Sequence, residues 1–147
     1  MSNERSVVVA SDHAGLPLKR ELVAALAEAG VRYEDLGTHD EASTDYPDYA
    51  HRVAEAISSG RHPLGLLVCG SGVGMSMAAN RHSGIRAVVC SEPYSAAMAR
   101  RHNDANVLCM GARVVGPGLA REILEAFLAQ AFEGGRHQRR VEKIEAR

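Results

Sequence analysis

Residues Leu64-Gly-Leu-Leu-Val-Cys-Gly-Ser-Gly-Val-Gly74 decide the fold. The first six are a short apolar run, the length of a buried strand and too brief for a buried helix. A glycine-rich turn, Gly70 to Gly74, follows at once, and Met75 to Arg81 reads as a helix. A strand that passes through a glycine turn into a helix is the repeating unit of a parallel α/β sheet. The same alternation recurs on both sides. Upstream, Ser6 to Ala10 is a candidate buried strand, Asp12-His-Ala-Gly15 a loop, and Pro17 suits a first helical turn. Leu18, Leu22, Ala25, Leu26 and Ala29 then recur at helical spacing, with Gly30 as a stop. Val31 to Leu36 is a second strand and residues 38 to 46 a polar loop. Pro47 and Asp48 open a helix that carries Tyr49, Val53 and Ile57 and ends near Gly60. Downstream, Ile85 to Cys90 and Val107 to Met110 are strands. Pro93 to His102 and Leu119 to Phe132 are helices, and the tail from Gly134 to Arg147 is basic at its start and helical near its end.

Five strands alternating with helices predict a Rossmann-like three-layer α/β sandwich around a five-stranded parallel sheet. The chain of 147 residues reads as one domain, without linker, repeat or low-complexity segment. Ligands of such sheets sit at the carboxyl ends of the strands. Asp12-His13, Cys69 with its glycine turn, and Ser91-Glu92 all fall there.

Composition narrows the function. The net charge of -1 gives no electrostatic footprint for nucleic acid and no polybasic membrane patch. No apolar run reaches membrane-spanning length, and Met1-Ser-Asn-Glu-Arg-Ser6 lacks a signal-peptide core, so a cytoplasmic protein is expected. Cys69, Cys90 and Cys109 are odd in number and form no Cys-x-x-Cys pair, which fits reduced thiols.

The chemistry centres on Cys69. Backbone N–H groups of a glycine turn and of a helix start favour negative charge, and a cysteine at the lip of such a turn is expected to favour its thiolate. That sulfur can take a proton or act as a nucleophile, and the hydroxyl of Ser71 with the loop amides can hold an oxyanion. Cys90 and Cys109 read as small buried hydrophobes. Other readings of the loop fail. A Walker loop lacks its lysine, a Cys-x5-Arg phosphatase would need Arg where Met75 stands, and a dinucleotide fingerprint would need Gly there. Glu92, about 20 residues on, keeps a nucleotide-binding reading open.

Seven histidines are present: His13, His39, His51, His62, His82, His102 and His137. None forms a His-x-x-x-His pair and no carboxylate cluster accompanies them, so no metal and no cofactor are expected. His13 and His102 suit acid–base work near neutral pH. His39, His51, His62 and His82 read as packing or surface residues. Arg136 and Arg140 stand four apart, so on a helix they share a face that suits a phosphate. Spacing alone favours a solvated charged tail instead.

With these segments together, the chain resembles the ribose/galactose sugar-phosphate isomerase family, in its type B ribose-5-phosphate isomerase branch. The resemblance runs through Ser11-Asp-His-Ala-Gly15, Asp45-Tyr-Pro47, Cys69-Gly-Ser-Gly-Val-Gly74, Ala79-Asn-Arg81 and Gly84-Ile-Arg-Ala-Val-Val-Cys-Ser-Glu-Pro-Tyr94. It continues through His102-Asn103, Gly111-Ala-Arg113 and Gly134-Gly-Arg-His137. It implies an aldose–ketose isomerase of the pentose phosphate pathway that acts through an enediolate. Cys69 would move the proton between C1 and C2, and Ser71 with the amides of Gly70, Ser71, Gly72, Val73 and Gly74 would hold the enediolate. His102, aided by Asp12, would open the sugar ring. Tyr46 and Asn103 would position hydroxyls, and His13, Arg113, Arg136 and Arg140 would bind phosphate. The resemblance also implies a homodimer or dimer of dimers with shared sites, the tail from about residue 134 to 147 packing on a partner subunit. One branch of the family replaces the cysteine with a glutamate further along the loop; Met75 stands there, so Cys69 has no substitute. Three alternatives stay open: a six-carbon sugar phosphate, a non-catalytic phosphate- or nucleotide-binding module, and a cysteine hydrolase.

Overall fold

Alternation along the strands decides which helices cover which face of the sheet. The computed structural model describes residues 6–145. Its elements are β1 (Val7–Ser11), α1 (Leu16–Glu28), β2 (Tyr33–Asp35), α2 (Tyr46–Ser58), β3 (Leu64–Cys69) and α3 (Val73–Ala79). They continue with β4 (Ala87–Val89), α4 (Pro93–Asn103), β5 (Val107–Gly111), α5 (Pro117–Leu128) and α6 (Arg136–Glu145). The strands form one sheet in the order β2-β1-β3-β5-β4, every neighbouring pair parallel. Val7, Val9, Leu66, Val68, Leu108 and Met110 face one side, against Leu22 and Leu26 of α1, Ala96 of α4, and Ile123 and Phe127 of α5. Val8, Ala10, Leu67, Cys69, Val107 and Cys109 face the other, against Ala50 and Val53 of α2 and Met75 and Ala79 of α3. The α/β sandwich expected from the sequence is the observed fold.

The boundaries differ where the chain has less to pair with. Edge strands β2 and β4 each have one neighbour and keep three residues, not the longer runs predicted. Val31, expected in β2, instead donates its N–H to the Leu26 carbonyl at 3.0 Å and closes α1. α3 begins at Val73, two residues before the predicted Met75, and α5 spans Pro117–Leu128 where Leu119 to Phe132 was predicted. α6 is helical from the first basic residue of the tail, Arg136; residues 146 and 147 of that tail lie outside the described residues.

Two features position the site. The strand order reverses at β1 and β3, which opens a crevice at their carboxyl ends. β5 lies beside β3 with Gly111 level with Cys69, so the segment after β5 enters the same crevice. The polar loop after β2 is tied at its start by a buried cation. Lys19, 1% exposed, donates to the Asp35 carboxylate at 2.7 Å and to the Thr38 carbonyl at 2.6 Å. No helix among the described residues is long and apolar enough to cross a membrane.

Candidate active site

The crevice is a cleft of about 600 Å³ lined by Asp12, His13, Tyr46, Cys69, Gly70, Ser71, Val73, Gly74 and Arg113. Nine residues singled out from the sequence therefore converge, drawn from four separate segments. Each is held for a local reason. Asp12 Oδ1 accepts the Gly15 N–H at 2.9 Å, which ties the carboxylate to the start of α1. His13 Nδ1 accepts the Thr44 N–H at 3.1 Å. A backbone amide can only donate, so this contact places any proton of a neutral His13 ring on Nε2. Arg113 donates its N–H to the Gly70 carbonyl at 3.0 Å and its guanidinium lies over Gly70. The Tyr46 ring lies against Gly74 so closely that a Cβ there would stand 2.3 Å from Tyr46 Cε1.

The turn after Cys69 folds back on the sulfur. The Gly72 N–H donates to Cys69 Sγ at 3.0 Å, and Gly72 has φ +81°, which disfavours a side chain. The Val73 N–H donates to Ser71 Oγ at 3.3 Å. Two of the amides expected to hold an enediolate, those of Gly72 and Val73, are thus already engaged inside the loop. Gly70, Ser71 and Gly74 offer the amides that remain. Burial sets the other thiols apart. The Cys90 thiol is pushed up to about 11, burial first and the Glu92 carboxylate second. Burial pushes the Cys109 thiol well above its ordinary range, with Cys69 and Cys90 adding to it.

Four expected site residues are elsewhere. His102 and Asn103 close α4, which runs back from the carboxyl edge of the sheet, so they stand near the start of β5. Cys69 is level with the end of β5, and a five-residue strand spans roughly 16 Å. Asn103 lines a different cavity, of about 460 Å³, with Asn80, Arg86 and Glu145. Arg136 and Arg140 belong to α6, and α6 is anchored beside His102. The His137 ring stacks on the His102 ring at 4.3 Å between centroids and 11° between planes. One chain therefore carries two clusters, at opposite edges of its sheet.

Some partners were not read from the sequence. Glu133 lies 3.8 Å from His102 Nε2 and 3.7 Å from His137 Nε2. No carboxylate cluster beside the histidines is legible in the sequence, and nothing there singles out this one carboxylate; Glu133 follows His102 by 31 positions, and only folding joins them. Met77 and Val114 line the cleft while 67% and 61% exposed, and nothing in their spacing signals it. The packing reading of the other histidines holds. His51 Nδ1 and His82 Nε2 share a hydrogen bond of 2.7 Å, His62 bonds Ser6 and Glu34, and His39 is exposed. The nucleotide reading loses its acid, because both Glu92 carboxylate oxygens accept the Ser95 N–H at 3.0 Å and cap α4.

Comparison with known proteins adds a family to this geometry. Residues 7–144 match the family model described as Ribose/Galactose Isomerase. The chain is 54% identical to ribose-5-phosphate isomerase B of Escherichia coli K12, over 97% of this chain and 95% of that one. It is similar to the solved ribose-5-phosphate isomerase B of Clostridium thermocellum, with a TM-score of 0.94, 48% identity and 95% of both chains covered. It is also similar to the type B ribose 5-phosphate isomerase of Trypanosoma brucei, with a TM-score of 0.91, 48% identity and 97% of both chains covered.

Proposed function

The chain belongs to the ribose/galactose isomerase family, and from that membership we propose that it interconverts ribose 5-phosphate and ribulose 5-phosphate with Cys69 as the proton-transferring base. The observation that supports it most is the convergence of Cys69, Ser71, Asp12, His13 and Arg113 on one cleft. An aldose–ketose shift needs a base over C1–C2, a group that exchanges protons with O1 and O2, and donors for the oxyanion that forms. Cys69 takes the proton from C2 and returns it to C1. The Gly72 N–H donates to the sulfur while it carries the negative charge, before the proton arrives; the charge then passes to the enediolate. Ser71 exchanges the oxygen protons, and the amides of Gly70, Ser71 and Gly74 hold the enediolate. The phosphate sits at the other end of the cleft on Arg113 and on Nε2–H of His13. Anchoring it there holds the open chain over the sulfur. Tyr46 fixes a sugar hydroxyl.

Ring opening falls to His102, and it acts in a second copy. In this reading the chain is a homodimer in which His102, Asn103, Arg136 and Arg140 of one protomer complete the Cys69 cleft of the other. The distance between the two clusters in one chain supports this, as do the exposed Val73, Met77 and Val114 around the cleft mouth. Asp12 of the cleft then meets the arriving His102. The tail from about residue 134 packs on the partner subunit, which brings Arg136 and Arg140 with it. We place the enzyme in the cytoplasm, where a thiol base stays reduced.

The test is a direct isomerisation assay with chelator present. Wild type should turn over ribose 5-phosphate, and Cys69→Ala should lose at least about 10²- to 10⁴-fold, the usual worth of a positioned base. Turnover that persists in the variant would name another base. Absence of turnover on the pentose by wild type would move the proposal to six-carbon phosphates.

A further inference from the structure

Among the described residues, one group of three side chains has the donor atoms to hold a metal ion: His102, Glu133 and His137. One ligand atom from each lies within 4.8 Å of the others. Glu133 is fixed from two sides. Its backbone N–H donates to the Arg101 carbonyl at 3.0 Å, and Oε2 accepts from Arg101 Nε at 2.6 Å. That leaves Oε1 facing Nε2 of both histidines, at 3.8 and 3.7 Å. Neither distance is a hydrogen bond. His137 is the telling residue. Its side chain is 9% exposed, and its Nε2 is buried without a hydrogen-bond partner. A buried ring nitrogen left unpaired is costly, so its persistence calls for an occupant.

We propose that His102, Glu133 and His137 form a binding site for one divalent transition-metal ion of the Zn²⁺ class. Two imidazoles and one carboxylate are a donor set that suits such an ion and leaves an open fourth position. Bonds of about 2.0–2.1 Å put tetrahedral ligands roughly 3.4 Å apart. The two histidine–carboxylate gaps must close by a few tenths of an ångström. The stacked imidazoles must rotate out of their parallel arrangement so that their lone pairs converge. Arg101, Arg136 and Arg140 oppose a cation here, which makes the site one for a reversibly bound ion, not a permanent structural one. Its consequence rests on the proposed function. A metal on His102 Nε2 takes the lone pair used for ring opening, so the ion inhibits the isomerase.

Binding is tested apart from activity. Tag-free, chelator-stripped protein is dialysed to equilibrium with Co²⁺, and bound metal and visible absorption are measured. The Cys69 cleft, with Asp12 and His13, is the rival site, so Cys69→Ala is run in parallel. One Co²⁺ per chain is expected in wild type and in Cys69→Ala, without a sulfur-to-metal charge-transfer band. Binding should vanish in His137→Ala. It should weaken in Glu133→Gln and in His102→Ala by more than the about 10- to 100-fold that loss of an outer-shell partner costs. His102→Ala, at a half-exposed position, keeps the test valid if His137→Ala fails to fold. No Co²⁺ bound by wild type, or binding that survives His137→Ala and His102→Ala, or binding lost only in Cys69→Ala, overturns the site. Metal binding without inhibition of turnover supports the site and overturns the ring-opening role of His102.

Discussion

At Gly74 one hydrogen atom separates a working cleft from a blocked one. An added methyl would stand 2.3 Å from Tyr46 Cε1 and 2.6 Å from Cζ, so Gly74→Ala must drive the phenol ring out of its place. Gly74 is the second residue of α3 and has no positive φ, and at a backbone position that suits alanine the same change stabilises by about 0.4–1 kcal/mol. Activity and stability should therefore part company. kcat/KM should fall by up to about 100-fold, as for a misplacement of about 1 Å, while the melting temperature holds or rises. Steady-state kinetics beside a thermal melt checks this, and equal losses of both would show that the residue serves the fold. The thiols make a second prediction. With burial raising the Cys90 thiol to about 11 and the Cys109 thiol well above its ordinary range, one thiol per folded chain should react with iodoacetamide near neutral pH. Peptide mapping should find it at Cys69, and ribose 5-phosphate should slow it. At this scale much was legible. Cys69 and Ser71 were marked by the glycine turn beside them, and His13 by its place at a strand end. Glu133 and Thr44 were not, because each matters through a contact that only the folded chain makes.

Among the elements, α6 depends most on charge. Two groups tie it to α4, and both prefer their form at higher pH. The hydrogen bond from Arg101 holds the Glu133 carboxyl below its ordinary range, so its contribution is present above that range and lost as pH falls through the folded value. Burial holds His137 below its ordinary 6.5, so the folded state binds fewer protons there and the docked helix is disfavoured as pH falls through that region. The signs agree: acidification loosens α6. Hydrogen exchange, corrected for intrinsic rates, should show residues 136–145 losing protection between neutral and mildly acidic pH while β3 keeps it. Unchanged protection would place the docking on buried Val141 and on Glu145, which accepts from the Gly84 N–H and from Arg86. Elements with strong local signals were read correctly, but their ends were set elsewhere. α6 starts at Arg136 because Gly134 and Gly135, with φ +68° and +56°, turn the chain just before it. β2 and β4 stop short because edge strands lack a second neighbour.

The whole molecule carries its two residue clusters at opposite edges of one sheet, and sequence could not show this. Which strands neighbour one another is a non-local fact, and the placing of β5 between β3 and β4 follows from packing that no motif spells out. The motifs named His102 and Arg136 as site residues, yet within one chain they cannot approach Cys69. If a two-fold dimer joins the clusters, each site takes Cys69 from one protomer and His102 from the other. Complementation then has a definite arithmetic. Cys69→Ala and His102→Ala are each inactive as homodimers. A mixed dimer holds one doubly damaged site and one site in which both residues are intact. Random mixing in equal amounts makes half the dimers mixed, and half of their sites work, so about a quarter of wild-type activity should appear. The variants are unfolded together, refolded together and assayed against each refolded alone. Recovery near that level supports shared sites and the crossing of the tail to the partner. Recovery no greater than the sum of the separate variants would mean that each chain works with its own residues, and His102 would then have no part in opening the ring.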